Sequence, residues 1–171
     1  AAFPTSRILP LAALPAFAAS LSELEQSRYE ALLDWVHTGG ILVFAGGASY
    51  SLLQGPRERE LLPVRVRGLM QARKLPVLPS FPGMPMPEGD WTLIDSVLER
   101  GEALAEVDGK PLIARRELGL GEIYFLALDY AAARLTSWAG NFALWDLLLA
   151  RDKEAVTLDA LAEEMDVEAA Q

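Results

Sequence analysis

The 171-residue chain has no cysteine and a single histidine, His37. The missing cysteine excludes disulfides, thiolate nucleophiles and cysteine-ligated zinc or iron–sulfur centres. One histidine leaves only one way to build a His–Asp pair. Positive charge is scarce too: 15 basic residues face 24 acidic ones, for a formal net charge of -9. A phosphate backbone needs the opposite balance, so no nucleic-acid partner is expected. Long apolar runs are also missing. The longest, Ile8–Leu21, has 14 residues and contains Pro10 and Pro15. It is too short to cross a bilayer as a helix. Its Ala16-Phe17-Ala18 superficially matches a signal-peptide cleavage site. The stretch is expected to form a buried strand and its following loop.

What is present can build a core. Apolar residues make up 51% of the chain, well above the range of disordered sequences. The charge is unevenly spread. Residues 151–171 carry seven acids and two bases, and are expected to form an acidic helical tail to a domain spanning 1–150. Thr157 could cap that helix, with Leu158, Leu161 and Met165 on its apolar side. Arg57–Lys74 runs the other way, with six bases against two acids. Arg65 and Arg67 alternate with Val64 and Val66, as on the solvent side of a strand. This stretch and the apolar loop Phe81–Pro87 are the candidate surfaces for a protein partner or a second copy, the chain's own tail being another acidic candidate.

Ser22-Glu23-Leu24-Glu25 matches a capping box, and Tyr29, Leu32, Leu33 and Val36 then recur at helical spacing. Gly39-Gly40 ends that helix. Ile41–Ala45 is a continuous apolar run before Gly46-Gly47, as in a parallel strand buried on both faces. Gly55–Glu88 holds seven of the eleven prolines. It reads as a looped region with at most short edge strands. Three strands then follow: Trp91–Glu99, Glu102–Val107 and Lys110–Glu117. Asp108-Gly109 is a strong two-residue hairpin signal. Glu122–Leu128 reads as another buried strand, and a helix is expected from Asn141 to Leu149.

Ligands in α/β folds usually sit where parallel strands end. That singles out Gly47, Ser49 and Asp129, with Trp138 in the loop Thr136–Asn141 as a further ligand-binding candidate. Ser49 lacks the glycine two residues on that a nucleophile elbow carries. His37 ends a helix at the far edge of the expected sheet, so a Ser49–His37 pair is not expected. Asp129 can equally cap the following turn. Gly119-Leu120-Gly121 lies between two strands, which suits a hairpin and not a dinucleotide loop. No metal site or cofactor is expected.

Three segments in order resemble class I glutamine amidotransferase-like domains: Leu21–Gly47, Pro111–Asp129 and Leu135–Leu149. The resemblance is to the non-catalytic branch found in extracytoplasmic parts of bacterial membrane proteins. It implies an α/β, flavodoxin-like three-layer sandwich with an added antiparallel β portion. It also implies that the family's first strand and helix are absent here. The family's glutaminases use an elbow cysteine and a later histidine; this sequence has neither. The expectation is therefore a non-catalytic binding or scaffolding domain of a larger bacterial protein. The resemblance favours an extracytoplasmic location with membrane anchoring in the parent protein, a cytoplasmic one staying open. Two alternatives remain: a hydrolase using Ser49 or Asp129 without histidine, and an oligomerisation or partner-interaction module.

Overall fold

A computed structural model of the chain describes residues 8–10, 21–47, 49–76, 85–129, 133–141 and 144–145. Its elements in chain order are β1 (Ile8–Pro10), α1 (Gln26–His37), β2 (Ile41–Ala45), α2 (Pro56–Leu61), β3 (Val64–Ala72), β4 (Trp91–Leu98), β5 (Glu102–Val107), β6 (Lys110–Leu118), β7 (Gly121–Leu126) and α3 (Ala133–Thr136).

The larger sheet has five strands in the order β1-β2-β7-β6-β5. β1, β2 and β7 run parallel; β6 pairs antiparallel with β7, and β5 antiparallel with β6. The apolar run of β2 places Phe44 beside Phe125 and Val43 beside Tyr124 on β7. All six residues of β7 are buried. Strands covered on both faces read as continuous apolar runs, and these two do. The turns follow from local chemistry. Asp108 and Gly109 both take positive φ, 50° and 71°, as a two-residue hairpin turn requires. Gly119 does the same at φ 66° between β6 and β7.

α1 covers this sheet through buried Tyr29, Leu32 and Val36. Its end comes very close to the central strand: a Cβ at Gly121 would lie 2.0 Å from the Val36 carbonyl oxygen. The expected capping box does not form. Glu25 takes the N-cap position without a side-chain hydrogen bond. Ser22 instead donates to Glu58 of α2 at 3.2 Å, and the same buried carboxylate accepts the Leu21 N–H at 2.5 Å. A buried acceptor that also serves a backbone donor holds Ser22 away from the helix start.

β3 and β4 form a separate antiparallel ribbon with a bulge between Val66 and Gly68. It is tied to the larger sheet through Ile94, whose N–H donates to the Ala127 carbonyl at 2.7 Å. Leu93, Ile94 and Ser96 of β4 are buried, whereas β3 alternates along its length.

The expected flavodoxin-like three-layer sandwich is corrected by this architecture. Among the described residues the molecule is mostly β, with one helix of 12 residues and shorter ones of six and four. Two-residue turns join β5 to β6 and β6 to β7, leaving no chain for the crossover helices that a doubly wound sheet needs. The antiparallel strands are the greater part of the sheet structure and not an addition to it. Gly55–Glu88 is also more ordered than its prolines suggest, holding α2 and the nine-residue β3. Residues 77–84, 146–150 and the tail 151–171 lie outside the described residues, so the tail helix, most of the expected Asn141–Leu149 helix and most of the Phe81–Pro87 loop do too. Within that loop Met86 is buried, so it is not an exposed contact. No described helix is long and apolar enough to cross a membrane.

Candidate functional site

β2 and β7 end side by side, so the residues after them meet. A Cβ on Gly47 would lie 3.1 Å from the Cβ of Asp129. Glycine is what allows this approach. Asp129 is exposed, and so is Ser49, which precedes a 3-10 turn over Tyr50–Gln54. Trp138 is half-buried and packs against the core, with its indole over Gly140. His37 lies at the other end of the sheet. Its carbonyl accepts the Leu120 N–H at 2.9 Å, and its Nδ1 is 2.8 Å from the Leu33 carbonyl. The five residues of β2 separate it from the Gly47 end, roughly 15 Å at strand rise. The fold thus brings Gly47 and Asp129 together and keeps the histidine away from Ser49.

The ribbon carries the basic stretch. Arg65, Arg67, Leu69 and Gln71 lie exposed at alternate positions of β3, and Leu69 is 43% exposed. Arg65 pairs with Glu99 of the neighbouring segment at 3.2 Å, and Gln71 donates to Thr92 at 3.1 Å. Arg67 has no ion pair or side-chain hydrogen bond among the described residues. An exposed strand with a charge-and-leucine row is suited to contact.

A third group of polar residues lies across β5, β6 and β7, where sequence reasoning saw only core. Arg115 of β6 bonds Glu102 of β5 at 2.6 Å and approaches Glu122 of β7 at 3.4 Å. The hydroxyl of buried Tyr124 donates to Glu122 Oε2 at 2.9 Å. Burial, with the Glu122 charge and hydrogen bond adding to it, pushes the Tyr124 phenol up to about 12. Burial disfavours the Arg115 cation, but its bonds to Glu102 and Tyr124 outweigh this and raise its pKa. The available signal was a lone glutamate opening the apolar strand Glu122–Leu128. A buried acid needs a partner, and the antiparallel neighbour supplies one. Among the described residues no three acidic or histidine side chains gather to hold a metal ion.

No protein-family model and no curated protein matches the sequence. Solved structures are similar to it in fold. The chain is similar to the cytoplasmic protein STM3548 of Salmonella typhimurium at 16% identity and TM-score 0.57, over 86% of this chain and 75% of that one. It is similar to the cytoplasmic protein STM1381 of Salmonella typhimurium LT2 at 18% identity and TM-score 0.51, over 76% of this chain and 62% of that one. A weaker likeness, to a beta-galactosidase from Bacillus circulans sp. alkalophilus, has 19% identity and TM-score 0.45, over 86% of this chain and 22% of that one. It is too slight to carry an argument. At these identities the likeness concerns fold and not activity. None of the three names is that of a glutamine amidotransferase-like domain. The expected kinship with that class is corrected accordingly, and the membrane-protein placement loses the resemblance on which it rested.

Proposed function

We propose that the chain is a non-catalytic interaction module whose β3 face docks the acidic segment 151–171 of a second copy. The observation that carries this reading is the exposure of Arg65, Arg67 and Leu69 around the bulge of β3. The acidic segment, with seven acids against two bases, supplies complementary charge within the same sequence. The distance of His37 from Ser49 supports the non-catalytic part. The hydrolase alternative gains only the closeness of Gly47 and Asp129. Extracytoplasmic placement and membrane anchoring are not part of the proposal.

Light scattering over a concentration series tests it, at about 50 mM salt and again at several times that, where the screening length is far shorter. At low salt the mass should rise with concentration above that of one chain. Added salt or the double variant Arg65→Glu/Arg67→Glu should return it to one chain. A single-chain mass throughout, or association that the charge reversal leaves unchanged, overturns the docking. Ester or amide turnover that Ser49→Ala abolishes overturns the non-catalytic part.

A further inference from the structure

The turn between β4 and β5 and the outer part of β6 border an open groove of about 390 Å³, lined by Arg100, Gly101, Glu102, Arg115, Arg116 and Glu117. Its three arginines are not equivalent. Arg115 is neutralised by Glu102 and Glu122. Arg100 and Arg116 form no ion pair among the described residues. Both point Nη1 at one acceptor, the Glu60 carbonyl that helps end α2, at 2.5 Å and 2.9 Å. Arg116 also reaches the Leu61 carbonyl at 3.3 Å. Two cations sharing one neutral oxygen are close enough to repel. Burial first, and then the Arg100 charge, hold the Arg116 guanidinium below its usual range, with Glu60 opposing.

The same geometry is prepared for an anion. Each guanidinium has five N–H donors in a planar fork, and the carbonyls engage only Nη1 of each. Such forks match the paired oxygens of carboxylate and phosphate. Gly101 lets the turn pack directly against β6: its φ is +75°, and a Cβ there would lie 2.0 Å from the Arg115 carbonyl oxygen. We propose that this groove binds a small oxyanion, the phosphate or carboxylate group of a small molecule, held between Arg100 and Arg116. Glu102 and Glu117 on its rim disfavour extended polyanions and select a compact ligand.

The test is a titration of the full chain with inorganic phosphate and, separately, with succinate, at constant ionic strength. The readout is the arginine side-chain N–H resonances in NMR. Saturating shifts should be concentrated on Arg100 and Arg116. Arg100→Gln should weaken binding about tenfold or more, the loss of a charge-assisted hydrogen bond. Arg116→Lys, which keeps the charge and loses the fork, should weaken it as well. Arg67→Gln should leave it unchanged. Saturation by phosphate alone or by succinate alone identifies which oxyanion the groove prefers. Linear, non-saturating shifts, or an unchanged midpoint in the exposed-site variant Arg100→Gln, overturn the proposal.

Discussion

β7 and β3 are both strands, but they belong to two different kinds of surface. β7 is buried at every position, between β2 and β6 and beneath α1. β3 alternates between buried or half-buried and exposed positions, and pairs with β4 alone among the described residues. In β7 each side chain contributes to a shared core, so its sequence is constrained at every position. In β3 every second residue is released from packing and can be charged. That release is what makes the ribbon a candidate for contact and the central strands a candidate for stability alone.

The comparison can be broken by mutation, and the largest effect is expected in the central strands. Phe44 is fully buried and stands beside Phe125. Phe44→Ala should cost about 3–5 kcal/mol in urea unfolding, through lost burial and the cavity left behind. A loss below about 1 kcal/mol would show that the sheet core collapses around the gap and is less tightly packed than its burial indicates.

The next effect is one of pH, and it too belongs to the larger sheet. The Tyr124 phenol is raised to about 12 from an ordinary 10.0, mainly by burial. A folded-state pKa above the unfolded one gives stability that is complete below the unfolded value. It is lost as pH rises through the folded value. Stability should therefore hold up to about pH 10 and fall between there and about pH 12, by at most about 2–3 kcal/mol from this group. In Tyr124→Phe that alkaline component should be missing, although the variant starts lower because Glu122 loses a donor. Chemical unfolding at a series of alkaline pH values measures both. An undiminished alkaline loss in Tyr124→Phe would move the origin elsewhere, with Tyr29 the next group, its phenol also raised chiefly by burial.

The smallest effect is expected on the ribbon. Leu69→Ser should change stability by no more than about 0.5 kcal/mol, as is usual for exposed positions. It should nevertheless weaken the self-association measured by light scattering. A large stability loss would mean that the exposed face of β3 is packed in a way its 43% exposure at Leu69 does not suggest.

Much of the strand pattern was legible because it depends on local chemistry. The apolar run Ile41–Ala45, the Asp108-Gly109 turn and the end of α1 before Gly40 each follow from neighbouring residues. The prolines misled because their positions matter more than their number. Pro56 is the first residue of α2, where its missing N–H costs nothing, and Pro63 stands just before β3. Both mark boundaries of elements and do not interrupt them. The capping box failed for a different reason: its serine is claimed by Glu58, 36 residues away. No local motif can anticipate such a competitor. Of the candidate site residues, sequence placed Gly47 and Asp129 at strand ends, but only the parallel pairing of β2 with β7 puts them in contact.

By itself the sequence determined which chemistry is absent, which segments of the larger sheet form strands and where the hairpins turn. These depend on residue type, period and backbone conformation, all local. Tertiary structure alone decided the sheet order, the burial of Glu122 against Arg115 and Tyr124, and the meeting of Arg100 with Arg116 at one carbonyl. Charges so arranged come from segments distant in sequence, and only the three-dimensional packing fixes which of them are neutralised and which are left open to a ligand.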